Sequence, residues 1–154
     1  METGNWHIAQ LNIAAMLGKD IDDPIMAEFV AQLDAINALS EQSKGFVWRL
    51  KLDGGNATSY NPYHDERIIV NFSVWESADD LKNFVYKSAH TAVMKDRKKW
   101  FENFGQAYYV VWNIPAGSIP SLDEAVERLA FLQKNGPSVY AFDFKNIFEP
   151  VPVI

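Results

Sequence analysis

A ferredoxin-like α+β fold, with the order β-α-β-β-α-β and a further α-β at the C-terminal end, is the architecture this sequence predicts. Three observations predict it. Residues 6–14, 46–52 and 67–75 alternate apolar and polar side chains, the period of two that half-buried strands require, and 106–114 is rich in Tyr and Trp. Between these stretches, apolar residues repeat at helical spacing behind capping signals and ahead of glycines. The length of 154 residues fills one hydrophobic core and is too short for two ordinary domains. One domain over 1–154 is therefore expected, with a core at about 6–114 and a helix-strand extension at about 115–154.

Each element has its own warrant. After the first strand and the turn at Gly18, Asp23 is a good N-cap with Pro24 at the first helical position. Met26, Phe29, Val30, Leu33, Ile36 and Asn37 then repeat at helical spacing until Gly45. Strands at 46–52 and 67–75 follow, joined by a loop at 53–66 that is longer than a tight hairpin needs and carries His64. Ser77 and Asp80 imitate a capping box and open a second helix, expected from Ala78 to about Asn103 with a break near His90. The strand at 106–114 comes next, and Pro115-Ala116-Gly117 turns the chain toward Ser121 and Glu124, a proper capping box. Leu122, Ala125, Val126, Leu129 and Leu132 mark the third helix, Gly136-Pro137 ends it, and 139–148 is expected to form a fifth strand.

Composition narrows the function. A net charge of −6, with no basic run beyond Lys95 to Lys99, argues against nucleic acid and against an anionic membrane surface. No apolar run approaches the roughly 20 residues that span a bilayer. The chain has no cysteine, which excludes disulfide and thiolate chemistry and fits a reducing cytoplasm, the expected location. Aromatic residues make up 14% of the chain, so much of that area must be buried or must line a cavity or an interface. No nucleophile triad, phosphate-binding glycine loop or metal-ligand cluster is present in the pattern.

Apolar residues occur on both faces of several strands, whereas the split βαβ pattern places helices on one face. The bare face is therefore expected to meet a second copy and close a dimeric α/β barrel. On the third strand, Val70, Phe72 and Val74 should face the helices, leaving Asn71, Ser73 and Trp75 toward the barrel interior. Polar groups among aromatics describe a small-molecule cavity and describe a wet dimer interface equally well. Asn12 shares a strand side with Trp6, Ile8 and Gln10, where its amide can meet a ligand carbonyl or end the strand as a satisfied side chain. His90 has a pKa near working pH and can act as a base, donate a lone pair to iron, or simply hold its helix to the sheet. Arg97, seven residues on, falls on the same helical face and can orient a ligand or a carboxylate. Arg49 can neutralise an anion or pair with a surface carboxylate. His7 and His64 read as solvated.

Asn71-Phe-Ser-Val-Trp75-Glu-Ser77, with Leu81, Phe84, Tyr86, Ser88-Ala-His90, Met94 and Arg97 to Phe101, resembles an uncharacterised bacterial family of the dimeric α/β-barrel superfamily, related to antibiotic biosynthesis monooxygenase-like proteins. Trp112, Pro115-Ala-Gly117, Ile119-Pro120, Glu124-Ala125, Glu127 to Leu129, Leu132, Gly136-Pro137 and Ala141-Phe142 resemble its C-terminal half, so the likeness spans nearly the whole chain. The chain departs from that family at Ser118, where a His is expected, and at Asn113, where a bulkier residue is expected. The resemblance implies the fold and a homodimer, and its wider relatives include cofactor-free oxygenases, haem-degrading enzymes and ligand-binding or stress proteins. The haem degraders carry a Trp at about the place of Phe84, which argues against their chemistry here.

The first expectation is a cofactor-free monooxygenase-like homodimer acting on a small apolar or aromatic compound, with His90 as base and Asn12 as a donor that steadies the resulting anion. Asn71, Ser73, Trp75, Phe84, Arg97 and Trp112 are expected to line the site. The alternatives are a non-catalytic ligand-binding or stress-response protein and, less favoured, haem binding through His90.

Overall fold

The computed structural model describes residues 5–20, 22–50, 63, 67–87, 99–102 and 108–150. His64, His90, Arg97 and most of the 53–66 loop lie outside these. Four strands form one antiparallel sheet: β1 (Trp6–Ala15), β2 (Phe46–Arg49), β3 (Ile68–Trp75) and β4 (Tyr109–Pro115), in the order β2-β3-β1-β4. Three helices accompany them: α1 (Ala27–Gln42), α2 (Ala78–Lys87) and α3 (Leu122–Asn135). The first six elements run β-α-β-β-α-β, and β3 lies between β2 and β1, which is the split βαβ arrangement of the ferredoxin-like α+β fold.

Local chemistry sets the ends of these elements. The Asp23 carboxylate accepts from the backbone N–H of Ile25 (3.1 Å) and of Lys19 (3.0 Å), opening a short 3-10 turn at Pro24–Met26 that leads into α1. Those two N–H groups hold the Asp23 carboxyl below its ordinary pKa. Ser77 Oγ accepts from the Asp80 N–H (3.1 Å), and Ser121 Oγ from the Glu124 N–H (3.1 Å), so both capping signals act as read. Gly45 adopts φ +85° between α1 and β2, and a Cβ there would collide with the Asp80 side chain. That turn therefore requires glycine on two counts.

Two segments depart from expectation. Trp100 to Glu102 are not helical: Phe101 bridges Met16, with Leu17 N–H to Trp100 O at 2.7 Å and Glu102 N–H to Ala15 O at 2.8 Å. Backbone pairing beyond the end of β1 has replaced the last turns of the long helix expected to reach Asn103. The expected fifth strand contracts to a single bridge between Phe142 and Val111, because Asp143 turns the chain by accepting from the N–H groups of Lys145 and Asn146. Asn113 then donates to Phe148 O (2.8 Å), which holds the returning tail against β4.

Helices lie on both faces of the sheet. Ala9, Leu11 and Ile13 of β1, Val70, Phe72 and Val74 of β3, and Val110, Trp112 and Ile114 of β4 pack with Ala125, Leu129 and Leu132 of α3. The opposite face carries Ile8, Ala14, Ile69, Trp75 and Val111 and meets Met26, Phe29 and Leu33 on one side and Leu81, Phe84 and Val85 on the other. The assignment of faces made from the sequence is thus reversed: α1 and α2 cover the Asn71-Ser73-Trp75 side, and α3 covers the all-apolar side. Among the described residues the expected bare face is not seen, since Phe72 and Val74 are already buried. Among the described residues, no helix is long and apolar enough to cross a membrane.

Gly45→Ala is expected to destabilise the fold by more than about 1 kcal/mol, and Ser121→Ala by about 1 kcal/mol through loss of the α3 cap. Urea unfolding checks both: the midpoint should fall in each variant at an unchanged slope.

Candidate functional site

Between the sheet and the pair α1 and α2 lies a cavity of about 210 Å³. Its floor is the polar strip of β1 and β3: Gln10, Asn12, Asn71 and Ser73, flanked by Ala14, Ile69 and Trp75. Register creates that strip. Gln10 stands opposite Ser73 and Asn12 opposite Asn71, so side chains of matching parity from two adjacent strands project to the same side. One wall is α1, where Phe29, Gln32, Leu33, Ile36, Asn37 and Ser40 recur at helical spacing. The other walls are aromatic: Phe84 and Tyr86 from α2, with Phe101, Tyr108, Tyr109 and Phe144.

The floor is organised by a chain of hydrogen bonds. Gln10 Nε2 donates to Asn71 Oδ1 (2.7 Å) and to Ser73 Oγ (2.8 Å), and the Trp75 indole N–H donates to the same Ser73 Oγ (2.9 Å). Phe84 stacks on Trp75 at 5.2 Å between centroids, and Phe46 meets that indole edge-on at 5.5 Å. Those rings fix the indole plane, and the plane fixes the direction of its N–H.

Among the described cavity residues, Arg49 carries the one formal charge, and no Asp, Glu or His lines the space. Arg49 pairs with Glu41 on α1 at 3.3 Å. A bulge at Val47 puts it there: Phe46 stands opposite Trp75, Trp48 opposite Val74 and Arg49 opposite Ser73. The extra residue sends Phe46 and Trp48 to opposite faces, where simple alternation had placed them together. Burial pushes the Tyr109 phenol up to about 12 even though its oxygen accepts the Phe144 N–H (3.1 Å), so it stays protonated at neutral pH.

Of the residues expected at the site, Asn12, Asn71, Ser73, Trp75 and Phe84 lie together around this cavity, as described. Trp112 does not. It is fully buried on the opposite face beneath α3, with the Arg128 guanidinium 5.3 Å from its ring and 4.1 Å from that of Tyr140. Arg128 also pairs with Glu124 (2.9 Å) and donates to Tyr140 O (2.6 Å), so this cluster ties the C-terminal segment to α3. His90 and Arg97 lie outside the described residues. Gln10 and Asn37 were read from sequence only as members of a strand side and a helical repeat, and Gln32 and Ser40 were not singled out. Their signal was present as polar residues recurring on otherwise apolar faces.

The model of one family, described as Domain of unknown function (DUF3291), matches residues 7–152. The chain belongs to the DUF3291 family. No curated protein matches it. Among solved structures, this DUF3291 chain is similar to SnoaB, a cofactor-independent oxygenase from Streptomyces nogalater, at 15% identity over 75% of this chain and 98% of that one, with a TM-score of 0.47. A dimeric protein of unknown function and ferredoxin-like fold from Bacteroides fragilis matches at 16% identity, 71% and 95% coverage, and a TM-score of 0.45. The ActVA-Orf6 monooxygenase of Streptomyces coelicolor, in complex with Nanaomycin D, matches at 15% identity, 77% and 94% coverage, and a TM-score of 0.43.

Burial raises both Tyr63 and Tyr109 from 10.0 to about 12, so the unfolded DUF3291 chain releases these protons first as pH rises. Their contribution to stability is therefore complete below pH 10 and is lost between about pH 10 and 12. Tyr109→Phe should flatten that decline, as measured by urea midpoints across the alkaline range.

Proposed function

We propose that this chain binds a small aromatic or apolar compound bearing a polar oxygen between the sheet and α1/α2, and that it acts on it as a cofactor-free, monooxygenase-like enzyme with His90 as base. One observation carries the binding half of this reading: a hydrogen-bonding floor of Gln10, Asn12, Asn71 and Ser73 enclosed by Phe29, Trp75, Phe84, Phe101 and Tyr109. A few polar groups on an apolar wall orient a ligand, while its rings displace water. The volume falls below the roughly 300–1,000 Å³ of drug-sized pockets, which suits a molecule of one or two rings.

The catalytic half rests on His90. Tyr86 of α2 lines the cavity, and His90 follows it by four residues, hence within about 14 Å along the chain. A base there would take the phenolic proton of an electron-rich substrate. The resulting phenolate carries carbanion character at its para carbon, which bonds to O2 as a hydroperoxide. Loss of water then leaves a quinone, so the substrate supplies the electrons, one oxygen atom stays and the other departs as water. Donors on the floor favour the oxyanion at the other end of the ring.

A purely ligand-binding protein is the second reading, and a specific observation favours it: the described walls hold no carboxylate or imidazole. Turnover separates the two. With 1,5-dihydroxynaphthalene as probe, the enzyme reading expects one O2 consumed per 5-hydroxy-1,4-naphthoquinone formed. His90→Ala is expected to abolish turnover and leave binding intact; equal rates in both proteins would remove His90 from the mechanism, and binding without oxygen uptake would leave the second reading. A Soret band on haem titration, lost in the same variant, would instead point to haem.

Homodimer formation belongs to the same proposal. It is supported by apolar side chains that remain exposed, including Leu17, Ile25 and Val30 near the start of α1. Light scattering at micromolar concentration should give twice the chain mass, and a monomer mass would remove the dimer while leaving the cavity, which one chain builds.

A further inference from the structure

Ser73 is 6% exposed and lines the cavity. Its oxygen has two lone pairs, and both are taken: one by Gln10 Nε2 at 2.8 Å, the other by the Trp75 indole N–H at 2.9 Å. Neither donor can reverse its role, because an amide nitrogen and an indole N–H only donate. The hydroxyl hydrogen is thus the one hydrogen-bonding capacity Ser73 has left, and among the described residues it has no acceptor. A buried donor left in that condition costs more than an exposed one, because no solvent compensates it.

Resting on the binding reading above, we infer that Ser73 is a specificity-determining residue whose hydroxyl is fixed as a donor, that Gln10 is the positioning residue that fixes it, and that the ligand carries an acceptor oxygen, a ketone, quinone or phenolate, against it. Gln10 is itself only 8% exposed, and its second bond to Asn71 Oδ1 (2.7 Å) couples the orientation of its amide to that of Asn71. Turned alone, it would set two oxygens against each other. The aromatic clamp on Trp75 holds the second donor in place. A ligand of the same shape without the oxygen would bury the Ser73 hydrogen unpaired, so discrimination arises from the penalty on the wrong ligand as well as from the bond to the right one.

The probes are 1-tetralone and tetralin, one bicyclic skeleton with and without a ketone, measured by calorimetry on the full chain. Wild type is expected to bind the ketone roughly tenfold more tightly. Ser73→Ala should bring the two to parity. Gln10→Glu keeps the size and keeps Ser73, yet a carboxyl at position 10 accepts the Ser73 hydrogen and turns an oxygen lone pair toward the ligand. The ketone preference should then fall to parity or below, which a merely structural role for Gln10 would not produce. Should Gln10→Glu fail to fold by circular dichroism, Gln10→Met releases the hydroxyl to rotate and should lower the preference several-fold. Equal binding of both probes to wild type overturns the inference and leaves the aromatic cavity standing. Binding of neither overturns the cavity reading and this inference together. An undiminished ketone preference in a folded Gln10 variant removes the positioning role.

Discussion

Polar side chains at the centre of a helix-covered sheet face are the constraint on which the rest of this structure depends. Gln10, Asn12, Asn71 and Ser73 sit where two central strands pair, and a helix pressed directly onto them would bury amides and a hydroxyl at a cost of roughly 1–3 kcal/mol for each unsatisfied group. The chain meets this constraint in two ways. Gln10 and Trp75 both donate to Ser73 along the floor, and α1 presents Gln32, Asn37 and Ser40 rather than an unbroken apolar stripe. What remains between them is a cavity instead of a core.

The other face shows the contrast. Val70, Phe72 and Val74 alternate with the polar strip on the same strand, and they pack into a closed apolar layer under α3. Small Ala125 permits the helix to approach, and Arg128 lies over the Trp112 and Tyr140 rings to tie the end of the chain to that helix. One face is therefore a closed apolar layer, and the other combines two apolar clusters with the cavity. A site built on central strands backed by a dense core is held more rigidly than one built on loops.

Much of this was legible in the sequence, and the failures have physical causes. Capping by Asp23, Ser77 and Ser121 is local, so it survives folding unchanged. Alternation on 67–75 identified the Asn71-Ser73-Trp75 side correctly as a set. It did not tell which layer that set would meet, because alternation fixes parity and not direction. The amphipathic stripe of α3 was read, but its place was not: a helix that follows the last strand of a βαββαβ unit is free to cross to the other face, toward which Trp112 points because β4 pairs it with Ala9. The bulge at Val47 adds one residue between Phe46 and Trp48, and nothing in a run of Phe, Val, Trp and Arg announces it. Gln10 was read on the Asn12 side but not as a site residue, since its partners are more than sixty positions away and only the β1–β3 register brings them together.

Placement of the ligand on the α1/α2 face, and not on the face beneath α3, is the claim most open to direct measurement. Nitrogen-15 NMR resolves the indole N–H of each tryptophan, and two of them report on opposite faces: Trp75 on the cavity floor and Trp112 under α3. On titration with a bicyclic ketone the account predicts a progressive shift of the Trp75 resonance and a stationary Trp112. Movement of Trp112 with Trp75 unaffected would contradict it.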